Sequence, residues 1–238
     1  SIILNGAVIV PVDNALTWSY EMPLNEEPNP IGIYSRNAAG MASNVVVASI
    51  IRDTTPPLVY STVPTDGSSV NHALAYIDVT LLEESTGIDP TATLSNASVT
   101  SDGSEVPGQW RIDYNHVIFT PDTPLSAGTY TLTLHPTDTP LGNTTTATIT
   151  FTVDLTAPAA PTLNEIHSPT NATPQLLSGT KDPGTSVWLN NLEIVPFNEL
   201  SEWTHNVALV EGENVFKLHA KDIAANRSDD VSFSILLD

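Results

Sequence analysis

The feature that most constrains this chain is an internal repeat. Residues Ser1–Asp53 (SIILNGAVIVPVDNALTWSYEMPLNEEPNPIGIYSRNAAGMASNVVVASIIRD) align without a gap on Ser186–Asp238 (SVWLNNLEIVPFNELSEWTHNVALVEGENVFKLHAKDIAANRSDDVSFSILLD), an offset of 185. Sixteen of the 53 positions are identical, among them Leu4/Leu189, Asn5/Asn190, Pro11/Pro196, Trp18/Trp203, Leu24/Leu209 and Asp53/Asp238. Chance supplies about three. The two ends are copies of one module, and whatever fold one adopts must suit the other.

Two similar phrases lie between the copies, Asp53-Thr54-Thr55-Pro56-Pro57 and Asp154-Leu155-Thr156-Ala157-Pro158, each after an apolar run (Val45–Ile51, Ala147–Val153). Proline cannot donate to a strand ladder and biases its predecessor toward extended backbone, so each phrase reads as a stiff linker where a sheet ends. The expected domains are 1–53, 54–154 and 155–238, the last two of a size that suits small β-sandwiches. The third has its own opening strands in Leu155–Thr185, and the first has no counterpart to these 31 residues. Domain 1–53 is therefore expected to be the C-terminal part of a sandwich, with an apolar face and an unpaired edge left open. Either this is a segment of a longer tandem array, or a neighbouring domain of another chain fills the gap by strand complementation, which would make the protein a polymer subunit.

Helix periodicity is thin, whereas period-2 alternation of apolar and polar residues recurs. It marks Ala75–Leu81, Gln109–Asp113, His116–Thr120, Thr129–Leu134 and Thr144–Val153 in the middle domain. In the third it marks Ser186–Leu189, Leu192–Val195, Trp203–Val207, Asn214–Ala220 and Val231–Leu236. Tyr114-Asn115 suits a tight turn, with Asn taking the positive φ, and Asn190-Asn191 and its copy Asn5-Gly6 suit two-residue hairpins. Short strands, frequent turns and no helices predict an all-β chain of sandwiches with Greek-key connections.

These residues carry a resemblance. The phrase GTKDPGTSVWLNNLEIVP, then Trp203, LVEGEN and AKDIAANRS, resembles bacterial immunoglobulin-like modules related to the B domain of glucodextranase. The middle domain, with DTTPPLVYSTVPTDGSSV and VIFTPDTPLSAGTYTLTL, resembles bacterial immunoglobulin-like modules first described in S-layer proteins. Together the resemblances imply tandem immunoglobulin-like β-sandwiches, the first one incomplete, in a secreted or cell-surface bacterial protein. Such modules serve as spacers, adhesin stalks and appendages of enzymes. The copies differ at Asn37-Ala38-Ala39-Gly40-Met41 against Asp222-Ile223-Ala224-Ala225-Asn226, so a ligand relying on Asp222 would distinguish them.

Composition narrows the function classes. Lys+Arg 7 against Asp+Glu 27 gives a formal charge of −20, so nucleic acid and anionic membrane would be met by repulsion. No apolar run reaches the roughly 20 residues that span a bilayer, and no basic-plus-apolar leader stands at Ser1. Absence of cysteine excludes disulfides and thiolate metal sites. No G-x-S-x-G, H-E-x-x-H or phosphate-loop phrase occurs. Glu83, Glu84 and Asp89 form the one local acidic cluster that could be weighed for glycoside hydrolysis, and such clusters are usually solvated. The chain reads as no enzyme.

Calcium is the cofactor to consider, because hard cations take several oxygen ligands and acidic junctions offer carboxylates and carbonyls together. Asp53, Asp154 and Asp222 are the candidate ligands of an interdomain Ca²⁺. Asp229 and Asp230 crowd the same loop as Asp222, and Asp66, Asp102, Asp122 and Asp138 sit in turns. Against this stands the ordinary role of Asp in turns and strand ends. Trp18 and Trp203 read as core anchors rather than sugar platforms, and Ile3 in place of Trp188 favours apolar packing there. Asn96, Asn143, Asn171 and Asn226 stand in Asn-x-Ser/Thr phrases, which carry no weight because the resemblance is to bacterial modules. The expectation is a non-catalytic extracellular stalk, adhesin or fibre-forming subunit, whose partners are neighbouring immunoglobulin-like domains and a surface glycan or protein receptor. The alternative is an accessory region of a secreted carbohydrate-active enzyme.

Overall fold

The computed structural model describes residues 1–12 and 15–238. They fall into two compact units: Ser1–Val59 with Leu81–Asn96 and His135–Ala147, and Tyr60–Thr80 with Ala97–Leu134 and Thr148–Asp238. The chain is almost entirely β, as expected. Among the described residues, no helix is long and apolar enough to cross a membrane.

The first unit opens on one antiparallel sheet. Its strands are β1 (Ile2–Leu4), β2 (Ala7–Val10), β3 (Glu27–Ser35) and β4 (Val46–Arg52), in the order β2-β1-β3-β4. Asn5 and Gly6 take φ of 46° and 87°, the left-handed pair that matches a two-residue turn to strand twist. The Asn5 side chain then crosses to β3, donating to Pro30 O at 3.0 Å and accepting from Gly32 N at 2.7 Å. Asn29 ties β3 to β4 through Ile50 O, 3.2 Å away. In the same unit Asp89 caps a short helix, α1 (Pro90–Leu94), accepting from the amides of Thr91 and Ala92. That helix departs from the all-strand expectation. Its proline sits in the first turn, where a missing N–H costs nothing, so five residues suffice once the Asp cap is present.

The second unit carries most of the remaining ladders, the ends of β5, β7 and β13 belonging to the first. Strands β5 (Leu58–Val63), β6 (Ser69–Val70), β7 (Ile77–Leu82), β8 (Ser98–Ser101), β9 (Ser104–Glu105), β10 (Gly108–Asp113), β11 (His116–Pro121), β12 (Gly128–Leu134) and β13 (Ala147–Val153) form two sheets. Their orders are β10-β11-β7-β5 and β6-β13-β12-β8-β9, the β6–β13 pair being parallel. Alternation holds along each inner strand: Ile77, Val79, Val117, Phe119, Leu132, Ile149, Phe151 and Val153 are buried, while their neighbours face outward. The turn before β11 differs from expectation in one respect. Tyr114, not Asn115, takes the positive φ, 55°, because β10 and β11 pair through Asp113↔His116 and leave Tyr114 in the first turn position.

The C-terminal part of this unit repeats the opening sheet. Strands β14 (Gln175–Thr180), β15 (Thr185–Leu189), β16 (Leu192–Asn198), β17 (Glu202–Val207), β18 (Gly212–Lys221) and β19 (Val231–Leu237) pair as β16-β15-β18-β19 and as β14-β17. Registers coincide at the offset read from the sequence. Ile2↔Ser35, Ile3↔Tyr34 and Leu4↔Ile33 become Val187↔Ala220, Trp188↔His219 and Leu189↔Leu218. Asn190 repeats the contacts of Asn5, with Val215 O and Lys217 N as partners, and Asn214 those of Asn29, with Ile235 O. Asn190 and Asn191, at φ 47° and 68°, make the equivalent turn. The core consists of Leu177, Val187, Leu189, Trp203, Leu209, Phe216, Leu218 and Ile235, with Leu163 and Ile166 packed against it. Residues 155–185, which hold Leu163, Ile166 and Leu177, thus supply part of this core.

Candidate functional site

The two linker aspartates are held in the same way. Asp53 Oδ1 accepts from Thr55 N at 2.9 Å, and Asp154 Oδ1 from Thr156 N at 3.0 Å, each an Asx turn that sets the chain extended toward its prolines. The main-chain carbonyl of each aspartate accepts from an asparagine side chain far along the sequence: Asn143 Nδ2 donates to Asp53 O at 3.0 Å, and Asn226 Nδ2 to Asp154 O at 2.9 Å. Each asparagine is in turn gripped by an aspartate of its own loop. Asp138 accepts from Asn143 N (2.9 Å) and Nδ2 (2.6 Å), and Asp222 from Asn226 N (2.9 Å) and Nδ2 (2.9 Å). A carboxylate accepting two donors from one residue fixes that side chain's rotamer, so the amide is presented to the linker carbonyl already oriented.

Each asparagine sits just before the last strand of its module, β13 or β19, and each aspartate just after the preceding strand, β4 or β13. In the first copy Asn37 keeps the loop, accepting from Met41 N at 3.0 Å, but Met41 stands where Asn226 stands and has no amide to offer. The Asn37/Asp222 difference noted from sequence is therefore accompanied by a larger one four residues on.

Asp53 has further partners. Its Oδ2 accepts from Thr86 Oγ1 at 3.1 Å, and Glu83 Oε1 accepts from the amides of Ser85 and Thr86. On the other side Glu26 accepts from Thr54 N and Oγ1 at 3.1 and 2.8 Å and pairs with Arg52 at 2.7 Å. Ligand atoms of Asp53, Glu83 and Asp138 lie within 4.8 Å of one another, with Asp53 and Asp138 buried. Three carboxylates so placed could take a hard divalent cation, with carbonyls or water completing the six to eight oxygens that calcium requires.

Of the residues named from sequence, Asp53 belongs to this cluster, whereas Asp154 and Asp222 lie in the other unit and meet around Asn226. Asp154 contributes its carbonyl there, not its carboxylate. Glu83 and Glu84 line, with Glu26, a cleft of about 220 Å³, and Glu83 also joins Asp53; Asp89 is not part of that lining and caps α1. Sequence reasoning missed Asn143, Asn226, Glu83 and Thr86 as junction residues. The signal that could have found the asparagines is their recurrence, Asp-x₄-Asn and Asp-x₃-Asn before a closing strand.

Among the described residues, two titratable groups are clearly shifted. Burial holds His219 below the ordinary histidine range; Arg227 and Lys221 push the same way, and Asp230 opposes them. Burial likewise lowers Lys181, against the nearby charges of Glu199 and Asp182. The Lys181 ammonium donates to Asn198 O at 2.9 Å and Asp182 O at 3.3 Å. Trp188 is covered by Lys221, whose Nζ stands 3.9 Å from the ring centroid, so this ring packs under a cation rather than in the core.

Residues 53–153 match a family model described as bacterial Ig-like domain. No curated protein matches the chain. Among solved structures the chain is similar to PcoC, a methionine-rich copper resistance protein from Escherichia coli, at 24% identity and a TM-score of 0.35, over 42% of this chain and 100% of that one. It is similar to the fibronectin(III)-like modules of Clostridium thermocellum CbhA at 15% identity and a TM-score of 0.49, over 76% and 94%. The FN1–FN3 domains of chicken CNTN1 match at 11% identity and a TM-score of 0.45, over 88% and 75%.

Proposed function

We propose that this chain, whose residues 53–153 match a model described as bacterial Ig-like domain, is a non-catalytic stalk or fibre segment of an extracellular bacterial protein, built from tandem modules 1–53, 54–154 and 155–238. The observation that carries this reading is the recurring junction. At each linker an aspartate carbonyl is bound by the asparagine of the module that follows, so the first linker residue is anchored as soon as the preceding strand ends. A chain used to transmit tension needs modules whose entry and exit strands are tied into ladders and whose connecting residues are not slack. The acidic surface, at −20 overall, supports the same reading by discouraging lateral association.

The test is mechanical. Pulled from its ends in a force spectrometer, the chain is expected to yield discrete events, modules 54–154 and 155–238 releasing about 33 and 28 nm of contour at roughly 3.3 Å per residue. Gradual extension without such steps refutes the reading. Saturable binding of a polysaccharide, seen in tryptophan emission and lost with a single tryptophan substitution, would replace it with an accessory sugar-binding role.

A further inference from the structure

The two ends of the chain share one sheet but not its cover. In the C-terminal module β14 pairs with β17 through Gly179↔Trp203, and extended residues before β14 join them, Thr162 N donating to Thr180 O and Asn164 N to Ser178 O, both at 2.8 Å. Under this cover Trp203 is 2% exposed and Ile235 0%. At the equivalent positions of the first unit Trp18 is 45% exposed and Ile50 42%. Residues 17–22, the counterpart of β17, belong to no strand. Beside them runs an apolar groove of about 220 Å³, lined by Leu4, Trp18, Tyr20, Met22, Leu24 and Ile50 among others.

We propose that this groove is a receptor for an extended segment of the kind that closes the C-terminal module. The occupant is a strand alternating apolar and polar residues like Gln175–Thr180, preceded by an extended stretch like Thr162–Asn164, with glycine opposite the tryptophan. It adds to the main chain of residues 17–22 by strand pairing and fills the groove with alternate side chains. Three observations select it. The same identical or similar groove residues, Leu189, Trp203, Leu209 and Ile235, enclose such a segment in the repeat. A Cβ at Gly179 would stand 1.9 Å from Thr162 O and 3.0 Å from Trp203 Nε1, so the pairing demands glycine there. Residues 155–180 contain Glu165 as their one acidic side chain and neither Lys nor Arg, so a chain this acidic does not repel them. The inference stands on the repeat and goes beyond the stalk reading.

The experiment uses the full chain and a synthetic peptide of residues 158–181. Saturating peptide is expected to bind one to one, to slow hydrogen exchange in residues 17–22 at least tenfold, and to shift Trp18 emission to the blue. Trp18→Ala is expected to weaken binding at least tenfold. Val47→Ser, which installs the residue found at position 232, should leave binding unchanged. A peptide carrying Gly179→Val is expected to bind at least tenfold more weakly, a comparison independent of the stability of any protein variant. Equal binding of the two peptides, no added protection at saturation, or a chain that dimerises through Trp18 and resists the peptide would each overturn the proposal.

Discussion

Replacing Asn226 by methionine, the residue its copy carries at position 41, tests how the second linker is held. The change preserves much of the side chain's length and removes its two donors. One bond lost is to the Asp222 carboxylate at 2.9 Å, the other to Asp154 O at 2.9 Å. Hydrogen bonds to charged acceptors contribute about 1.5–3 kcal/mol and neutral ones about 0.5–1.5. Because Asn226 and Asp222 are only half-buried, water recovers part of this, and the expected loss is about 2–3 kcal/mol. For a domain of this size that corresponds to a fall of about 8–24 °C in Tm. Urea and thermal unfolding followed through the buried Trp203 would report it, with an unchanged urea dependence showing that the unfolded surface is the same. Asn143→Met should act alike on the first linker, where the bonds are to Asp138 and Asp53 O. A loss below about 0.5 kcal/mol in both variants would refute the idea that these amides hold the linkers.

Three further outcomes are expected. The unfolded chain takes up a proton on His219 near pH 6.5, whereas the folded site, 2% exposed and facing Arg227 and Lys221, resists it. Stability should therefore rise with pH through the window just below 6.5 and be lost on acidification, by at most about 1.4 kcal/mol per pH unit. His219→Tyr, the residue at position 34, should flatten this slope in pH-dependent urea melts. Gly179→Ala places a methyl against Thr162 O and Trp203 and should destabilise the C-terminal module by about 3 kcal/mol, with Trp203 emission moving to the red at lower denaturant. Millimolar calcium is expected to raise the melting temperature by relieving repulsion among Asp53, Glu83 and Asp138, and Asp138→Asn to abolish the response. An unchanged midpoint in chelator would count against a bound cation.

Sheet and register at the two ends could be read directly, because a gapless repeat fixes the offset and period-2 alternation leaves one way to bury its apolar face. The Asn5-Gly6 and Asn190-Asn191 turns followed from residues that tolerate left-handed backbone. Tyr114 did not, since ladder register rather than side-chain preference decides which residue takes the positive φ there. The burial habit of a recurring tryptophan made Trp18 and Trp203 core anchors alike, and only Trp203, paired through Gly179 under β14, is buried, at 2% against 45% exposed for Trp18. The junctions were half legible. Their aspartates stood out beside proline, but their asparagines lie 90 and 72 residues away, a separation that no local pattern reveals. Glu83 stays with Glu84 in one cleft, but folding also sets it beside Asp53 and sends Asp89 to cap α1, which spacing along the chain does not reveal.

The asparagine at the closing loop works as a rule of succession. A module with Asn143 or Asn226 can accept a predecessor ending in aspartate, whereas one with methionine there, like the opening copy, offers that predecessor no purchase. Ser1–Asp53 placed behind either aspartate linker would lack this donor, and an engineer reordering such segments would first have to restore one amide.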